Sequence, residues 1–278
     1  MKQEKTKVQV QPVLKLYLDL SKTNYLHFGL WKDGDELNLK NFQAAQERYI
    51  EHLISLIPKN IKTILDVGCG VGGNAAKLKS LGYDVSGICP DPYQEQLFKK
   101  NTDAKFYLST IEDFNTEDKY DMILMSESVQ YINPDAALIK AQKLLKTGGY
   151  LLASDYFKNE EAKNIPNLPS FPLSEYKDAI KRNSFSIEKE VEITKNILPT
   201  LKYGSQVYYD YIKPTLNCIL TTLEVHLKPI HFLVEMFFKF KIGGKSIKQI
   251  IKNNIAPLPA ETFEKYLTYR ALLLKKIS

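Results

Sequence analysis

Cysteine is scarce and unpaired in this chain of 278 residues, which has three. Cys69, Cys89 and Cys218 are an odd number without metal-ligand spacing, so the expectation is free thiols in a reducing, cytoplasmic setting and no metal site. No run approaches the roughly 18 continuous apolar residues that a spanning helix needs, and the opening MKQEKTKVQVQP lacks the apolar core of a secretion signal. A soluble protein is expected. Strong charge is absent too: the formal net charge is +6, carried mainly as lysine, which reads as a solvated surface rather than a nucleic-acid footprint. No internal repeat or low-complexity tract stands out. A hydrophobic content of 44% is enough for a full core, and one α/β domain with an elaboration fits the length better than two independent domains.

What is present centres on Ile64 to Gly73, ILDVGCGVGG. Ile64, Leu65 and Val67 read as the end of a buried strand, and Gly68, Gly70 and Gly72 let the backbone turn sharply and approach a ligand. A helix from Asn74 to Leu81, closed by Gly82, would aim its free N–H groups at whatever sits in the turn. As a bare G-x-G-x-x-G the signal is weak and would also suit a dinucleotide. Asp66 disfavours a pyrophosphate, and the place about 20 residues past the first glycine, where a dinucleotide site wants an acid for the ribose, holds Cys89.

The rest of the chain alternates strands and helices. After a short helix over Val13–Asp19 comes the aromatic segment Tyr25–Trp31, then a helix over Asn41–Ile57 with apolar Phe42, Ala45, Tyr49 and Leu53 at helical spacing. Strands are expected at Ile61–Val67, Tyr83–Ile88, Ala104–Leu108, Tyr120–Ser126 and Tyr150–Asp155. Asp91-Pro92-Tyr93-Gln94 opens a helix with an acidic N-cap, a proline at the first helical position and a glutamine to complete a capping box. A helix over Pro134–Lys146, capped by Asn133, stops at Gly148-Gly149, another covers Ser174–Asn183, and outer strands fall at Ser184–Thr194 and Tyr269–Lys276. Such alternation implies a doubly wound parallel sheet with its ligand at the carboxyl ends of the strands.

With these motifs in place the chain resembles the class I S-adenosylmethionine-dependent methyltransferases from about Tyr25 to its end, outside a helical insert. Ile64–Gly72 resembles the family's first motif, and SESVQYINPDAALIKAQKLLKTGGYLLASDY the block around its fourth and fifth strands. SIEKEVEITKNILPT is similar to the sixth strand and the turn after it. The resemblance implies a Rossmann-like seven-stranded sheet whose last strand is antiparallel. Within the superfamily the chain is most similar to the tocopherol-methyltransferase-like and cyclopropane-synthase-like groups, which also lack the acid after the second strand. Gln94 matches their glutamine and is assigned to the ribose, while Asp91 is the helix N-cap. Thr110-Ile-Glu-Asp-Phe114 resembles their W-E-D-F segment beside the adenine, with Ile111 where the tryptophan would be. The resemblance thus implies S-adenosylmethionine as cofactor, touched by Tyr25, Asp66, Gly68, Cys69, Gly70, Cys89, Gln94, Ile111, Glu112 and Ser126.

Physical chemistry points the same way. The cofactor's ammonium suits exposed carbonyls of a glycine turn with Asp66 nearby, and its carboxylate suits N–H groups at a helix start. Methyl transfer is an in-line displacement, so the protein chiefly aligns the acceptor and excludes water, with a base needed when the acceptor must lose a proton. Glu127-Ser128-Val-Gln-Tyr131 resembles the E-S-G-E-H segment of the tocopherol group with Gln130 and Tyr131 in place of its Glu and His, and Glu127 and Tyr131 form the preferred polar pair. His27 is a candidate base or lid hinge, and Trp31 either shapes the acceptor pocket or anchors the N-terminal helix. Tyr208 and His226 are candidate acceptor contacts. A small hydrophobic or amphipathic acceptor methylated at N, O or C leads. Nucleic-acid or protein methylation is disfavoured because MSES follows the fourth strand and no basic domain is appended. A protein that binds the cofactor without turnover remains a third class.

Residues 205–261 form the insert, expected to be a helical substrate lid on a methyltransferase domain of 1–204 and 262–278. Between Lys202 and Lys252 its lysines (202, 213, 228, 239, 241, 245, 248, 252) meet only Asp210, Glu224 and Glu235. Aromatic residues interleave with them, and HFLVEMFFKFK has the composition of an interfacial helix, which makes a membrane surface a secondary expectation.

Overall fold

The computed structural model describes residues 9–166, 168–241 and 257–277. Seven strands, β1 (Thr63–Val67), β2 (Asp84–Cys89), β3 (Lys105–Leu108), β4 (Tyr120–Ser126), β5 (Leu145–Lys158), β6 (Phe185–Glu192) and β7 (Leu267–Lys276), make one sheet in the order β3-β2-β1-β4-β5-β7-β6. The first five are parallel to one another, and β7 lies antiparallel between β5 and β6. This is the Rossmann-like sheet that the sequence implies. Helices α1 (Pro12–Ser21) and α2 (Leu39–Ser55) precede it, α3 (Gly73–Ser80), α4 (Pro92–Asn101) and α5 (Pro134–Leu144) cross between parallel strands, and α6 (Leu173–Arg182) leads into β6.

Local chemistry sets the helix ends. The Asn38 side chain accepts from Asn41 N–H at 2.9 Å to start α2, which buries Phe42, Ala45, Tyr49 and Leu53 on one face. Asp91 caps α4 by accepting from Tyr93 and Gln94 N–H groups at 2.8 and 3.1 Å. The capping box is not completed as expected. The amide of Gln94 lies instead between the Asp91 carboxylate and the Cys89 thiol, 3.5 Å from each. Leu65, Ile123, Met125, Leu138, Leu151, Tyr176 and Leu272 belong to one buried cluster, where truncating a leucine to alanine costs roughly 2–5 kcal/mol.

Three local expectations are corrected. The fifth strand starts at Leu145 rather than Tyr150 because Leu145 already pairs with Tyr120 across a register irregularity, with Gly148 supplying a positive φ. The segment after β6 is not a turn but helix α7 (Thr194–Val207), which carries Pro199 inside it. Buried Ile193, Ile197 and Leu201 recur at helical spacing and offset the interior proline, which costs about 3 kcal/mol. The sequence offers Pro214, Pro229 and Gly243-Gly244 as interruptions of the insert's helical spacing, but Pro214 does not break it: α7 passes through a π-helical turn over Tyr208–Ile212 into α8 (Lys213–His226), with Pro214 in the first turn where its missing N–H is harmless. Pro229 does mark a boundary, at the start of α9 (Lys228–Lys241). Gly243-Gly244, Lys245, Lys248 and Lys252 lie outside the described residues.

The chain packs as two compact units. One comprises Met1–Ile197 with Glu264–Ser278 and holds the sheet; the other is Leu198–Phe263. A last helix, α10 (Ala260–Tyr266), leads into β7. Within the second unit α8 packs on α9 and on the π-helical turn. No described helix is long and apolar enough to cross a membrane.

Candidate active site

A cavity of about 470 Å³ opens at the carboxyl ends of β1, β2 and β4, entirely within the sheet-bearing unit. The glycine turn after β1 forms its floor. Gly68 and Gly70 hold φ of 75° and 56°, a region that costs other residues roughly 1–2 kcal/mol. A Cβ on Gly68 would collide with the Ser128 Cβ, and one on Gly70 would come within 2.9 Å of Leu26 Cδ1. Gly68 N–H donates to Ile88 O at 2.9 Å, fastening the turn to the end of β2. Ser128 Oγ donates to Val67 O at 2.6 Å, fastening it to the end of β4.

The cavity gathers Tyr25, His27, Gly68, Cys69, Gly70, Cys89, Gln94, Ile111, Glu112, Ser126, Glu127 and Tyr131. Asp66 is buried just before the turn with Oδ2 lacking any hydrogen-bond partner. Burial lifts its carboxyl to about 7. A buried acid without a donor calls for a cationic ligand, as an ammonium beside the glycine turn would provide. His27 and Asn74 line the cavity; His27 Nε2 and Asn74 Oδ1 have no other partner, and the Asn74 amide lies within reach of the ring. The wall fits S-adenosylmethionine, which Gln94 and Cys89 at the end of β2 would meet at the ribose and Ile111 and Glu112 after β3 at the adenine; Asp66, within β1, is buried and not on the wall. Burial raises the Cys69 and Cys89 thiols, so both are neutral walls rather than nucleophiles. Among the described residues no cluster suited to a metal ion occurs.

Glu127 occupies the turn after β4 with φ of 53°, a strained value for a residue with a side chain. Its N–H donates to Ser154 O at 2.9 Å. Oε1 accepts from Phe28 N–H at 2.6 Å and from the Tyr269 hydroxyl at 2.8 Å. Burial, and then the nearby Asp155 carboxylate, raise Glu127 to about 8, against the pull of those two hydrogen bonds. Asp155 itself accepts from Tyr156 and Gln130 N–H groups at 2.8 and 3.1 Å, yet burial lifts it to about 7. Beneath them the Tyr49 hydroxyl meets Ser154 Oγ at 2.9 Å, Tyr269 Oη at 2.8 Å and Ser126 Oγ at 3.2 Å. Tyr131 sits on the cavity wall with 80% of its surface exposed.

Two expected roles are corrected. His27 is buried between the rings of Tyr25 and Tyr49, with centroids 5.0 and 4.2 Å away. Its Nδ1 lies 2.7 Å from Phe28 O, and burial lowers its pKa to about 4, so it is not a base poised near neutrality. Trp31 is 2% exposed and absent from the cavity wall. Its backbone N–H donates to Asn196 O and its carbonyl accepts from Asn196 Nδ2, while its ring packs on Phe42. It anchors the N-terminal segment to the start of α7 and does not shape the cavity. Tyr25 keeps its place on the wall, but its hydroxyl donates to Glu47 at 2.8 Å. Tyr208 and His226 belong to the second unit, where Tyr208 stacks edge-on against Tyr209 and His226 ends α8 exposed. The sequence reading missed Asn74, Tyr49, Asp155 and Tyr269; Asn74 alone had a signal, its place directly after the glycines.

Comparison with known proteins agrees with this geometry. Residues 42–187 match the family described as methyltransferase domain. The chain is 29% identical over 216 residues to 2-methyl-6-phytyl-1,4-hydroquinone methyltransferase of Synechocystis sp., covering 72% of this chain and 66% of that protein. It is 28% identical over 152 residues to the ubiquinone biosynthesis O-methyltransferase of Hydrogenovibrio crunogenus, covering 51% and 61%. In both, the match spans slightly under two thirds of the relative's own length. Among solved structures, geranyl diphosphate methyltransferase with geranyl diphosphate and sinefungin superposes with a TM-score of 0.68 at 14% identity, over 97% of this chain and 94% of that one. The cyclase SpnF gives 0.66 at 17% identity over 95% and 92%, a likeness of fold alone. By the family match over more than half of its length, the chain belongs to the methyltransferase-domain family.

Proposed function

We propose that the protein transfers the methyl group of S-adenosylmethionine to a small amphipathic acceptor that gives up a proton, a phenol or hydroquinone with an apolar tail. The observation that carries this reading is Glu127. One oxygen is held by Phe28 N–H and Tyr269, and the residue lies on the cavity wall with a carboxyl whose pKa is about 8, near the working pH that general-base catalysis favours. The cofactor supplies a methyl group on a positively charged sulfur. As the acceptor oxygen bonds to that carbon and the carbon–sulfur bond breaks, Glu127 takes the acceptor's proton, leaving a methyl ether and a neutral sulfide. A carbon acceptor would lose its ring-hydroxyl proton to the same carboxylate as the adjacent carbon bonds to the methyl group, and the hydrogen of that carbon would then move to the oxygen to restore the aromatic ring. Tyr131, beside Glu127, is the second polar group of the site. The named relatives are a phytylhydroquinone methyltransferase and an O-methyltransferase of ubiquinone biosynthesis, which supports this acceptor class.

Acceptor selection falls to the second unit, read as the lid, with Tyr208 and His226 as its contacts. A surface reading is favoured by one observation: on α9, Leu233, Met236, Phe237 and Phe240 recur at helical spacing and are all exposed, Phe240 by 90%. Such a stripe beside lysines suits collection of a lipid-like acceptor from a membrane surface. Incubation of the protein with methyl-labelled cofactor and a panel of prenylated and unprenylated quinols tests the proposal: label in a quinol with an apolar tail supports it, and label only in polar small molecules rejects the acceptor class.

A further inference from the structure

We propose that Asp155 is a positioning residue for methyl transfer: from β5 its two carboxylate oxygens hold the turn that carries Tyr131, and its charge stands beside Glu127. The inference rests on Glu127 being the group that takes the acceptor's proton. Strand pairing brings the two acids together. Ser126 pairs with Ser154 in the parallel register of β4 and β5, and Glu127 N–H donates to Ser154 O at 2.9 Å, so Glu127 and Asp155 stand at the same level of adjacent strands. Asp155 is fully buried, and both of its oxygens are engaged. Oδ1 accepts from Tyr156 N–H at 2.8 Å and Oδ2 from Gln130 N–H at 3.1 Å.

Gln130 is the middle residue of the 3₁₀ turn Val129–Tyr131, whose first N–H groups have no partner within the turn itself. A serine just ahead of such a turn commonly supplies the acceptor. Ser128 makes no such bond, because its Oγ donates to Val67 O at 2.6 Å. Asp155 supplies the missing acceptor from the neighbouring strand. The turn is thereby fixed along its length, from Ser128 at the glycine turn to Tyr131 on the cavity wall. An asparagine at 155 would offer one acceptor oxygen to two N–H donors, so a carboxylate and not an amide suits the place. Its charge then has a second effect, because like charges side by side make each acid harder to ionise. Burial lifts Asp155 to about 7, and after burial the Asp155 charge raises Glu127 to about 8. The other titratable groups facing the pair are phenols: Tyr156 on β5, Tyr269 on β7, Tyr49 on α2, Tyr17 on α1, Tyr176 on α6 and exposed Tyr131 on the turn. Phenols are uncharged at neutral pH. Among the described residues Asp155 is therefore the charged group that acts on Glu127, and it keeps Glu127 a stronger base than burial alone would.

Initial rates of full-length Asp155→Asn between pH 6 and 10, with methyl-labelled S-adenosylmethionine and a prenylated quinol, test the assignment. The rise of kcat/KM is expected to move down by about one pH unit, and the plateau to fall a few-fold as a weaker base takes the proton. Amide hydrogen exchange at Gln130 is expected to quicken about tenfold, since one of the two N–H groups loses its acceptor. A lower rate with the rise unmoved overturns the proposal and leaves Asp155 a packing residue; so does Gln130 exchange equal to the parent's. Carbon-13 NMR of the parent protein, labelled at glutamate side-chain carboxyls and assigned with Glu127→Gln, needs no folded Asp155 variant. The Glu127 resonance is expected to show two inflections with pH, one its own and a smaller one from Asp155. A single inflection rejects the coupling. A parent profile with no rise over this range, or Glu127→Gln as fast as the parent, would instead remove the proton-acceptor reading on which the proposal stands.

Discussion

The Tyr269 hydroxyl donates to Glu127 Oε1 at 2.8 Å across 142 positions of sequence, joining the last strand of the sheet to the turn after β4. Phe28 N–H adds a second hydrogen bond to the same oxygen at 2.6 Å. The N-terminal segment, the middle strand and the final strand therefore converge on one carboxyl group. That convergence holds Glu127 at its left-handed φ and fixes which oxygen is saturated.

Glu127→Gln is expected to lower kcat by roughly 10²–10⁴ while leaving cofactor affinity within about twofold, because the amide keeps the hydrogen bonds to the loop but cannot take a proton. In the parent protein the basic form is required, so kcat/KM should rise with pH and level off above about 8. Tyr269→Phe removes a hydrogen bond that holds the carboxyl down, so the rise should move to higher pH. Initial rates between pH 6 and 10 check both, and an unchanged profile in Tyr269→Phe contradicts the coupling.

Gly70→Val is expected to abolish cofactor binding while the chain stays folded. The positive φ and the 2.9 Å approach to Leu26 cost a few kcal/mol locally, and the new side chain takes up cavity space. Titration with S-adenosylhomocysteine alongside thermal melting checks this. Affinity equal to the parent's rejects the glycine turn as the binding floor.

Stability of the ligand-free protein should fall as pH rises from 5 to 8. Asp66, Asp155 and Glu127 have folded values raised to about 7, 7 and 8, above their unfolded values near 4. A raised carboxyl contributes stability that is complete below the unfolded value and is lost as pH climbs toward the folded one, by at most about 1.4 kcal/mol per pH unit for each group. Denaturant melts at pH 5.5 and 8 measure the sign. Asp66→Asn should flatten the slope, and a parent more stable at pH 8 rejects the buried, uncompensated acids.

Replacing residues 205–256 by a short linker should preserve cofactor binding and remove methyl transfer, since the described residues that line the cavity all belong to the sheet-bearing unit. Binding titration and a labelled-methyl assay on the shortened protein separate the two functions. Transfer at the parent rate rejects the lid. Sedimentation of the intact protein with anionic vesicles addresses the exposed stripe on α9, and its absence dismisses the membrane-surface reading.

The glycine turn and the alternation of strands and helices were legible in the sequence because each is written locally, in apolar runs punctuated by glycine, proline and capping residues, whereas the antiparallel last strand came from the family resemblance. Cys89 and Gln94 were legible as a pair because both follow one strand within a few positions. Trp31 and His27 misled because their chemistry suggested a site while their roles depend on distant partners, Asn196 for one and Tyr49 for the other. Tyr269, Tyr49 and Asp155 were invisible for the same reason: an apolar strand or helix carries them, and only tertiary packing turns their polar ends toward Glu127. Helix α7 was missed because Pro199 reads as a stop, and burial of its apolar face outweighed that signal.

The most direct test of the account is a turnover assay in which the protein, methyl-labelled S-adenosylmethionine and a prenylated hydroquinone are combined and both S-adenosylhomocysteine and the methylated quinol are quantified. The expected result is equimolar formation of the two, lost in Glu127→Gln with cofactor binding intact. Tight cofactor binding with no S-adenosylhomocysteine formed from any acceptor in the panel would contradict it.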